Sequence, residues 1–396
     1  MSPFDKPRVI IFSDHLLYPS ETFISAQASA LRKFEPVFAG SRRVVGLELR
    51  DQRICTINPG NNTGKLLELS FKLFGYAPDF ARRLRAFHPV LLHAHYGSNG
   101  LRVLPLASNL GIPVIVTFHG SDATVSDLRH QHARLGFRHY VLNKPKLIKS
   151  DALFLAVSRF IRRKLLEQGF PEAKVLVHYT GVDTKKFQPA STETVPVILF
   201  VGRMEESKGA EFLIRAAAEV QKQLPEAEVV LLGDGSLRPG LEQNAKQSLR
   251  RYRFLGFRKS EEVREWMNRA SLICVPSITR LSGEEEGFGM VCAEAHAVGK
   301  PVVAFNSGGI SEVVSHAETG FLAAEGDWQA MAEYLFMLLR DAQLRRRFGI
   351  AGRERVLRQF DLELQTEALE GIYARVSGAN IRSEEGEICC DPAVIS

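Results

Sequence analysis

Residues 271–309, SLICVPSITRLSGEEEGFGMVCAEAHAVGKPVVAFNSGG, carry the pattern that decides the fold. A short apolar run (271–277) leads into a polar loop, a helical stretch that closes at Gly299, and a second apolar run (301–309). A strand, a helix and a strand in this order predict a parallel pair joined by a right-handed crossover. In open sheets of this type, ligands bind at the carboxyl ends of the strands. We therefore expect a binding site in the loop that follows the first run.

That loop places Gly287 and Gly289 between two glutamates, Glu286 and Glu294. Because glycine has no Cβ, the backbone can approach a ligand closely at these positions. The main-chain N–H groups at the start of a helix have no partner within the helix, and they favour phosphate or sugar oxygens. The N–H groups concerned belong to Phe288, Gly289, Met290 and Val291. The helix start is therefore a candidate site for an anion or a sugar.

The two glutamates allow two interpretations. Glu294 lies one turn inside the helix, where its carboxylate could accept hydrogen bonds from two neighbouring hydroxyls, such as a ribose diol. Glu286 precedes the helix and would face what lies beyond the phosphates, such as a sugar. In the alternative, Glu286 is a solvated loop acid and Glu294 pairs with a surface base. The flanking glycines and the strand–loop–helix setting favour the binding site.

Short apolar runs alternate with helix-length amphipathic stretches along the whole chain. The runs are apolar throughout, as expected for strands that are covered by helices on both faces. We therefore predict an α/β fold with two parallel sheets. The runs cover 9–12, 89–96, 113–120, 152–158 and 174–179 in the first half, and 195–203, 228–235, 252–257, 271–277, 301–309 and 320–327 in the second.

The stretch 181–196 is rich in Thr, Ser, Pro and Lys and lacks apolar periodicity, so it predicts a domain boundary. We expect a first domain at 1–187 and a second domain at 188–360. The chain then turns helical, and we expect a C-terminal helix at 361–380 and a disordered tail at 381–396.

Several strands of the second half end in polar residues or glycines. Arg203 follows one strand, Gly233-Asp234-Gly235 follows the next, and Gly308-Gly309 follows the last apolar run of the opening stretch. Because the carboxyl ends of parallel strands meet at one edge, these residues should share a rim. The pattern predicts a nucleotide or phosphate site in the second domain, facing a cleft.

The bulk composition is that of a globular protein. The chain has 396 residues, of which 45% are hydrophobic and 24% charged, and its length suits two domains. No apolar run approaches the length of a membrane span, and no apolar signal core precedes the first strand. We therefore expect a cytoplasmic protein. The five cysteines lack metal-ligand spacing, so we expect reduced thiols.

The net charge of +6 conceals an asymmetry between the halves. Residues 1–187 contain 27 Lys or Arg and 14 Asp or Glu, a balance of +13, and the remainder has a balance of −7. Such an asymmetry suggests that the first half faces an anionic partner, such as nucleic acid, a membrane surface or a phosphorylated acceptor. The basic half lacks the interleaved aromatic and basic residues of a recognisable nucleic-acid module, so we expect no nucleic-acid partner.

The motifs taken together resemble the family-4 retaining glycosyltransferases, the E-x7-E enzymes with two Rossmann-like domains facing a cleft (the GT-B fold). The resemblance covers roughly residues 8–375 and implies that the C-terminal helix packs back on the first domain. It rests on the ordered set FHGSD, AVSRFIRRKLLEQGFPEAKVLVHYTGVDTKKF, VGRMEESKG, LLGDGSLRPGLE, RFLGFRKSEEVREWMNRA and EGFGMVCAEAHAVGKPVVAFNSGGISEVV.

The resemblance implies a role for each matching residue. Glu286 would contact the donor sugar beside the reacting carbon, and Glu294 would bind the nucleotide ribose. Arg203 and Lys208 would lie on the diphosphate, where two cations stabilise the charge that develops on the leaving group. An ordinary solvated basic pair is the alternative for these two residues.

Across the cleft, His119 and Gly120 match a histidine motif that reaches the donor sugar. Asp122 follows them and would orient the site. His93 and His95 lie two apart on one strand and could suggest a metal, but no third ligand follows at a useful spacing, so we expect no metal.

The resemblance implies transfer of a hexose from a UDP- or GDP-sugar to an acceptor hydroxyl, with retention of the anomeric configuration and without a metal or other cofactor. The first domain would bind the acceptor. Two alternatives share the fold: a nucleotide-sugar 2-epimerase, and a catalytically silent nucleotide-sugar-binding scaffold. A nicotinamide oxidoreductase is disfavoured because no Gly-x-Gly-x-x-Gly follows the first strand of either half.

The sequence departs from the family pattern mainly on the acceptor side. The first loop, YPSETFISAQ (18–27), lacks the common double glycine, and its SETF motif resembles a subgroup that builds exopolysaccharide or lipopolysaccharide chains. Its simplest structural explanation is a helix with Ser20 as the N-cap. Tyr179-Thr180 replaces the family's Pro-Asn, and Ser311 replaces a proline. The sequence therefore leaves open a carbohydrate or a lipid-linked acceptor.

Three segments of the first domain, 65–75, 80–88 and 129–139, mix Lys, Arg or His with Leu and Phe. Basic amphipathic segments can lie in a membrane interface with their charges on anionic head groups. They could equally be surface helices whose apolar residues belong to the core. We expect contact with an anionic membrane surface, peripheral at the inner face of the membrane.

Overall fold

A computed structural model describes residues 6–47, 53–75, 77–125, 135–190 and 196–379 of the chain. The tail at 381–396, for which the sequence predicts disorder, lies outside the described residues. The described part forms two parallel sheets with helices packed on them, and the prediction of two Rossmann-like domains is confirmed.

The first sheet has the strand order β2-β3-β1-β5-β6-β7-β8, with β4 paired to β3. Every pairing in it is parallel. Its strands are β1 (Arg8–Phe12), β2 (His15–Leu16), β3 (Glu35–Arg43), β4 (Arg53–Asn58), β5 (Pro89–His95), β6 (Val114–Phe118), β7 (Leu153–Ala156) and β8 (Val175–Val177).

The second sheet has the order β11-β10-β9-β12-β13-β14 and is also parallel throughout. The order turns back at β9, so the ends of β9 and β12 lie side by side, which is where open sheets bind ligands. The strands are β9 (Val197–Val201), β10 (Glu228–Leu232), β11 (Tyr252–Gly256), β12 (Leu272–Val275), β13 (Val302–Phe305) and β14 (Gly320–Ala323).

Helices connect and cover the strands. The described helices of the first domain are α1 (Thr22–Ser29), α2 (Asn62–Phe74), α3 (Pro78–Arg85), α4 (Gly97–Leu110), α5 (Ser121–Thr124), α6 (Leu135–Ile148) and α7 (Arg159–Glu167). The described helices that follow are α8 (Ala210–Gln223), α9 (Arg238–Ser248), α10 (Ser260–Arg269), α11 (Met290–Ala297), α12 (Ile310–Val313), α13 (Trp328–Arg340), α14 (Ala342–Gln359) and α15 (Leu362–Ser377).

Both faces of each sheet are buried, which explains the apolar runs. Val9 and Ile11 of β1 pack in one core, whereas Ile10 and Phe12 pack in another. In β9, alternate residues likewise enter different cores. Successive side chains of a strand point to opposite faces, so a strand that is covered twice needs apolar residues at every position.

The apolar runs in the sequence do not predict three strands of the first sheet. β2 has two residues, β3 (EPVFAGSRR) begins with Glu35 and ends in two arginines, and β4 (RICTIN) mixes polar and apolar residues. All three lie at the outer part of the first sheet, where polar strand residues are tolerated. A search for continuous apolar runs therefore finds the central strands and misses these.

The chain crosses between the domains twice, and the two crossings are hydrogen-bonded to each other. The Val182 N–H donates to the Phe360 carbonyl at 2.7 Å, and the Leu362 N–H donates to the Val182 carbonyl at 2.9 Å. After the second crossing, α15 returns to the first sheet, where its Leu369 and Tyr373 are buried. The predicted return of the C-terminal helix is confirmed.

Candidate active site in the cleft between the domains

Glu286 and Lys208 meet beside the carboxyl ends of β9 and β12. The Lys208 Nζ donates to the Glu286 Oε2 at 2.6 Å, and the Ser277 hydroxyl lies 3.5 Å from the same oxygen. Lys208 ends a short 3-10 helix (Glu206–Lys208) that follows β9. Two strand ends that are neighbours in the sheet thus bring together residues that are 78 positions apart in sequence.

The surroundings keep Glu286 ionised. Burial alone would raise the pKa of its carboxyl group, but Lys208, Ser277 and the positive charge of Arg203 together hold that pKa below its ordinary value. Arg203 itself is largely exposed and pairs with Glu205 at 2.9 Å. The predicted basic pair is therefore split: one cation contacts Glu286, and the other lies at the open side of the cleft.

Glu294 has a different environment. It lies on α11, is only partly exposed, and forms no hydrogen bond or ion pair among the residues that the structure describes. Burial raises the pKa of its carboxyl group to about 7, although Lys186 opposes the shift. A partly buried carboxylate without a partner costs free energy, which a ligand with paired hydroxyls would recover.

Two glycines, one in the Glu286 loop and one in the loop after β13, are required by close contacts between main chains. A Cβ on Gly287 would lie 2.0 Å from the His119 carbonyl oxygen of the first domain. A Cβ on Gly308 would lie 2.0 Å from the Glu286 carbonyl oxygen. The sequence predicts close approach of a ligand at Gly287, and the structure places the main chain of the first domain against this residue.

The start of α11 offers backbone donors, as the sequence predicts. Gly289 is the N-cap, with a φ of 91° that favours glycine, and the helix begins at Met290. The first-turn N–H groups of Met290 and Val291 cannot be satisfied within the helix. The Phe288 side chain is buried against Tyr179 and Phe360, so only its main chain can face a ligand.

His119, at the end of β6, faces the same cleft. Its Nε2 lies 3.0 Å from the Nδ1 of His95, and the two rings stack. Burial, together with the neighbouring His95 and His178, lowers the pKa of His119 well below its ordinary value, so the ring stays neutral. A neutral imidazole can donate or accept one hydrogen bond towards a sugar hydroxyl.

Asp122 fixes the turn that carries His119. Its carboxylate accepts hydrogen bonds from the main-chain N–H groups of Gly97, His119 and Gly120, at 3.0, 3.1 and 2.9 Å. Gly120 adopts a φ of 158° and lies against Gly287 of the other domain. Asp122 therefore positions the turn that carries His119, and its orienting role in the reaction stays a prediction.

Further contacts join the two domains at this point. The Ser158 hydroxyl donates to the Gly287 carbonyl at 2.7 Å while capping α7 through the Ile161 N–H. The Lys164 ammonium pairs with Glu285 at 3.1 Å. The Glu286 loop is thus held by the first domain, and Ser158 completes a contact that the sequence analysis did not identify.

Glu312 forms a second contact between the domains. Its carboxylate accepts from the Arg159 and Phe160 N–H groups at the start of α7, at 2.9 and 2.8 Å, and from the Tyr179 hydroxyl at 2.9 Å. A carboxylate at a helix N-terminus is stabilised by the unpaired N–H groups there. Glu312 belongs to the motif GGISE, so the sequence indicates that this residue matters. It does not indicate the groups of the first domain that Glu312 contacts.

Among the described residues, no cluster of three His, Cys, Asp or Glu side chains could hold a metal ion. His93 bonds to the Tyr373 hydroxyl and to the Thr117 hydroxyl, both at 2.6 Å. Within the same residues, no helix is both long and apolar enough to span a bilayer.

Comparison with known proteins gives a consistent result. The sequence model of the protein family described as Glycosyltransferase Family 4 matches residues 20–186. The family model described as Glycosyl transferases group 1 matches residues 181–355. The amylovoran biosynthesis glycosyltransferase AmsK of Erwinia amylovora is 30% identical over 295 residues, which are 72% of this chain and 70% of AmsK.

Two further proteins are similar to this chain. A GDP-mannose-dependent monoacylated alpha-(1-6)-phosphatidylinositol monomannoside mannosyltransferase of Corynebacterium glutamicum is 33% identical over 207 residues, covering 49% of this chain and 54% of that enzyme. The crystal structure of Anabaena HepE in complex with UDP-glucose aligns with a TM-score of 0.74 at 20% identity, over 93% of this chain and 99% of HepE. The structural likeness establishes the shared fold, and the sequence matches establish the family. The chain belongs to the family-4 glycosyltransferases, with the two-domain GT-B fold.

Proposed function

We propose that this glycosyltransferase moves a hexose from a UDP- or GDP-sugar to an acceptor hydroxyl and retains the anomeric configuration. The observation that carries the proposal is the contrast between two carboxylates at one helix start. Glu286 is ionised and bonded to Lys208, whereas Glu294 has a raised pKa and lacks a partner among the described residues. In this proposal, ionised Glu286 faces the charge that develops during transfer, and Glu294 accepts hydrogen bonds from hydroxyl groups of the bound donor.

In the proposed reaction, the bond between the anomeric carbon and the diphosphate oxygen breaks, and its electron pair stays on the diphosphate. The acceptor oxygen attacks the same face of the anomeric carbon, and its proton passes to the departing diphosphate oxygen. Arg203, Lys208 and the N-terminus of α11 would offset the developing negative charge. Glu286 would stabilise the positive charge that develops on the sugar ring.

The relatives support a nucleotide-sugar donor without naming it for this chain. HepE was solved with UDP-glucose, and the Corynebacterium enzyme is named as GDP-mannose-dependent. AmsK is named for the biosynthesis of amylovoran. We propose a role in polysaccharide or glycolipid biosynthesis, with a carbohydrate or lipid-linked acceptor, and no metal.

The direct test is the release of UDP or GDP from a panel of nucleotide sugars, with and without acceptor and with EDTA present. The proposal expects release that depends on acceptor and continues in EDTA. Conversion of the donor without acceptor would indicate an epimerase, and nucleotide binding without turnover would indicate a scaffold. Activity that vanishes in EDTA and returns with magnesium or manganese would contradict the metal-independent mechanism.

We also propose that the first domain contacts an anionic membrane surface at the inner face of the membrane. Helix α2 exposes a ridge of apolar side chains that no described residue covers: Leu66, Leu69, Leu73 and Phe74. Helix α3 packs on the same strand, β4, and keeps Phe80 and Leu84 in the core. The segment 80–88 therefore contributes only its charges to the proposed membrane contact. Most of the segment 129–139 lies outside the described residues.

A further inference from the structure

The two histidines of β5, His93 and His95, connect this strand with residues on and just after β6. Alternate residues of a strand share a face, so both histidines lie on the same side of the first sheet. His93 bonds to the Thr117 hydroxyl at 2.6 Å, and the Nδ1 of His95 bonds to the Nε2 of His119 at 3.0 Å. The sheet therefore holds His95 beside the histidine that the resemblance assigns to the donor sugar.

His95 takes up one of the two ring nitrogens of His119. Burial, with a smaller contribution from His178, lowers the pKa of His95 to about 3, and the pKa of His119 is also low, so both rings are neutral at neutral pH. A neutral imidazole has one N–H and one bare nitrogen, so a bond between two such rings uses one of each. The Nδ1 of His119 has no hydrogen-bond partner among the residues that the structure describes, and it is the nitrogen left for a ligand.

The neighbouring rings restrict the orientation of the His119 imidazole. The ring of Phe23 lies 4.8 Å from it at an angle of 48°, and the ring of Tyr96 lies 4.9 Å from it at 55°. The His95 ring stacks on it at 5.2 Å. Because packed side chains leave little free volume, the imidazole can turn only if these neighbours move.

The SETF motif, which departs from the family pattern, supplies part of these surroundings. The sequence predicts Ser20 as the N-cap of α1, but the helix begins at Thr22 and Glu21 takes the N-cap position. The Glu21 carboxylate accepts a hydrogen bond from the Tyr96 hydroxyl. The motif therefore acts on the imidazole in two ways, through Tyr96 and by the direct contact of Phe23.

We propose that His95 is a positioning residue of the transfer reaction: it holds the Nε2 of His119 and so presents the Nδ1 of that ring to a hydroxyl of the donor sugar. Phe23 of the SETF motif keeps the ring in this orientation. His95 is only 2% exposed and acts through His119 alone. The inference rests on the proposed function, because it requires a nucleotide sugar in the cleft.

The test compares the wild type with His95→Phe and His95→Asn. The first variant keeps a ring without nitrogen, whereas the amide of the second can place a nitrogen or an oxygen where Nδ1 lies. Turnover of the donor that the wild type uses should fall at least about tenfold in His95→Phe and largely return in His95→Asn. Affinity for UDP or GDP should be the same in all three proteins, because the proposed nucleotide site belongs to the second domain. His95→Leu replaces His95→Phe if the latter does not fold.

Mono-deoxy analogues of that donor distinguish positioning from a structural effect. The wild type should use one analogue at least about tenfold more slowly than the parent donor, because this analogue lacks the hydroxyl that meets Nδ1. His95→Phe should use the same analogue and the parent at nearly equal rates, since the bond to that hydroxyl is already lost. A purely structural effect would instead lower both rates by the same factor.

His88→Asn is the matched control, because His88 is an exposed histidine of the same domain and its φ of 51° is one that asparagine tolerates. It should leave every rate unchanged. The inference is wrong if His95→Phe keeps wild-type turnover, if His95→Asn is as slow as His95→Phe, or if every analogue loses the same factor in both enzymes. If the wild type uses no nucleotide sugar, the proposed function itself fails.

Discussion

At the residue scale, one loop gives two glutamates opposite properties. Glu286 and Glu294 are eight positions apart, yet Lys208 holds the first carboxyl ionised while burial raises the pKa of the second. Pairs of titratable groups whose surroundings separate their pKa values commonly divide the roles of a site. We therefore expect substitutions at the two positions to affect different steps.

Glu286→Gln should nearly abolish sugar transfer and change nucleotide affinity by no more than a few-fold. The reason is that Glu286 lies before α11, facing the sugar in our proposal, and the amide removes the negative charge without changing the shape. Turnover and nucleotide affinity, by calorimetry, are the two measurements.

The matched control is Glu284→Gln, in the same loop, whose carboxylate pairs with Arg280 at the surface. It should leave transfer unchanged. Wild-type turnover in Glu286→Gln would contradict the assignment of Glu286 to the reaction.

Nucleotide binding should weaken as the pH falls through about 7, because Glu294 then takes up a proton and accepts fewer hydrogen bonds from the ribose. Glu294→Ala should cost about 1–3 kcal/mol of binding free energy at pH 8. In Glu294→Gln the affinity should no longer depend on pH in this range. A wild-type nucleotide affinity that stays constant between pH 6 and 8 would contradict the proposed binding of the ribose by Glu294.

The same shift has a consequence for the ligand-free protein. A carboxyl group whose pKa is higher in the folded than in the unfolded state makes folding more favourable as the pH falls from about 7 towards its ordinary pKa. The thermal midpoint of the wild type should therefore rise over that range relative to Glu294→Gln.

Residue-level prediction from the sequence works where the chemistry is local. Glu286, Gly289 and Glu294 share one strand–loop–helix unit, so their spacing alone places them together. Ser158 acts through the Gly287 carbonyl, 129 positions further along the chain. Its role depends on how the two domains meet, which no local pattern reports.

At the element scale, the glycine turn of the Glu286 loop controls how closely the domains approach. Gly287→Ala would place a Cβ 2.0 Å from the His119 carbonyl, and neither backbone can yield easily. We expect the variant to remain folded but to lose most of its transfer activity, because the two halves of the site separate. Small-angle X-ray scattering should show a larger radius of gyration.

Gly240→Ala on α9 is the control, since nothing lies within 4 Å of its added Cβ. It should leave activity and the scattering profile unchanged, with stability equal or slightly higher. Unchanged activity and compactness in Gly287→Ala would show that the contact is not required.

Element prediction from the sequence succeeds for strands that appear as apolar runs and fails for more polar strands. All six strands of the second sheet contain such a run; five are mostly buried, and the edge strand β11 is found although its Arg253 is exposed. β3 ends in two exposed arginines, and β4 begins with the exposed Arg53 and ends with the buried but polar Asn58, so their pattern resembles a loop. Burial of both faces makes a parallel strand apolar throughout, and that apolar run is the signal that β3 and β4 lack.

At the scale of the whole molecule, the basic first domain and its exposed apolar ridge make membrane contact testable. The protein should pellet with vesicles that contain anionic lipid and should detach as salt rises, since exposed charges are screened within about 10 Å at 0.1 M. Replacing Leu66, Leu69 and Phe74 by serine, or reversing the charges of Arg82, Arg83 and Arg85, should weaken pelleting and leave nucleotide binding intact.

Charge reversal at three exposed basic residues of the second domain, Lys246, Arg250 and Arg346, is the matched control and should have little effect. A protein that ignores anionic vesicles at low salt, yet glycosylates a soluble acceptor efficiently, would contradict the membrane proposal and leave the donor site untouched.

The stereochemistry of the product tests the central claim most directly. The protein is incubated with the nucleotide sugar that supports turnover and with an acceptor, and the anomeric proton of the product is followed by NMR from the first turnovers. We predict a new glycosidic bond with the anomeric configuration of the donor, formed at the rate of nucleotide release and absent in Glu286→Gln. A product of inverted configuration, or nucleotide release without a new glycosidic bond, would contradict the account.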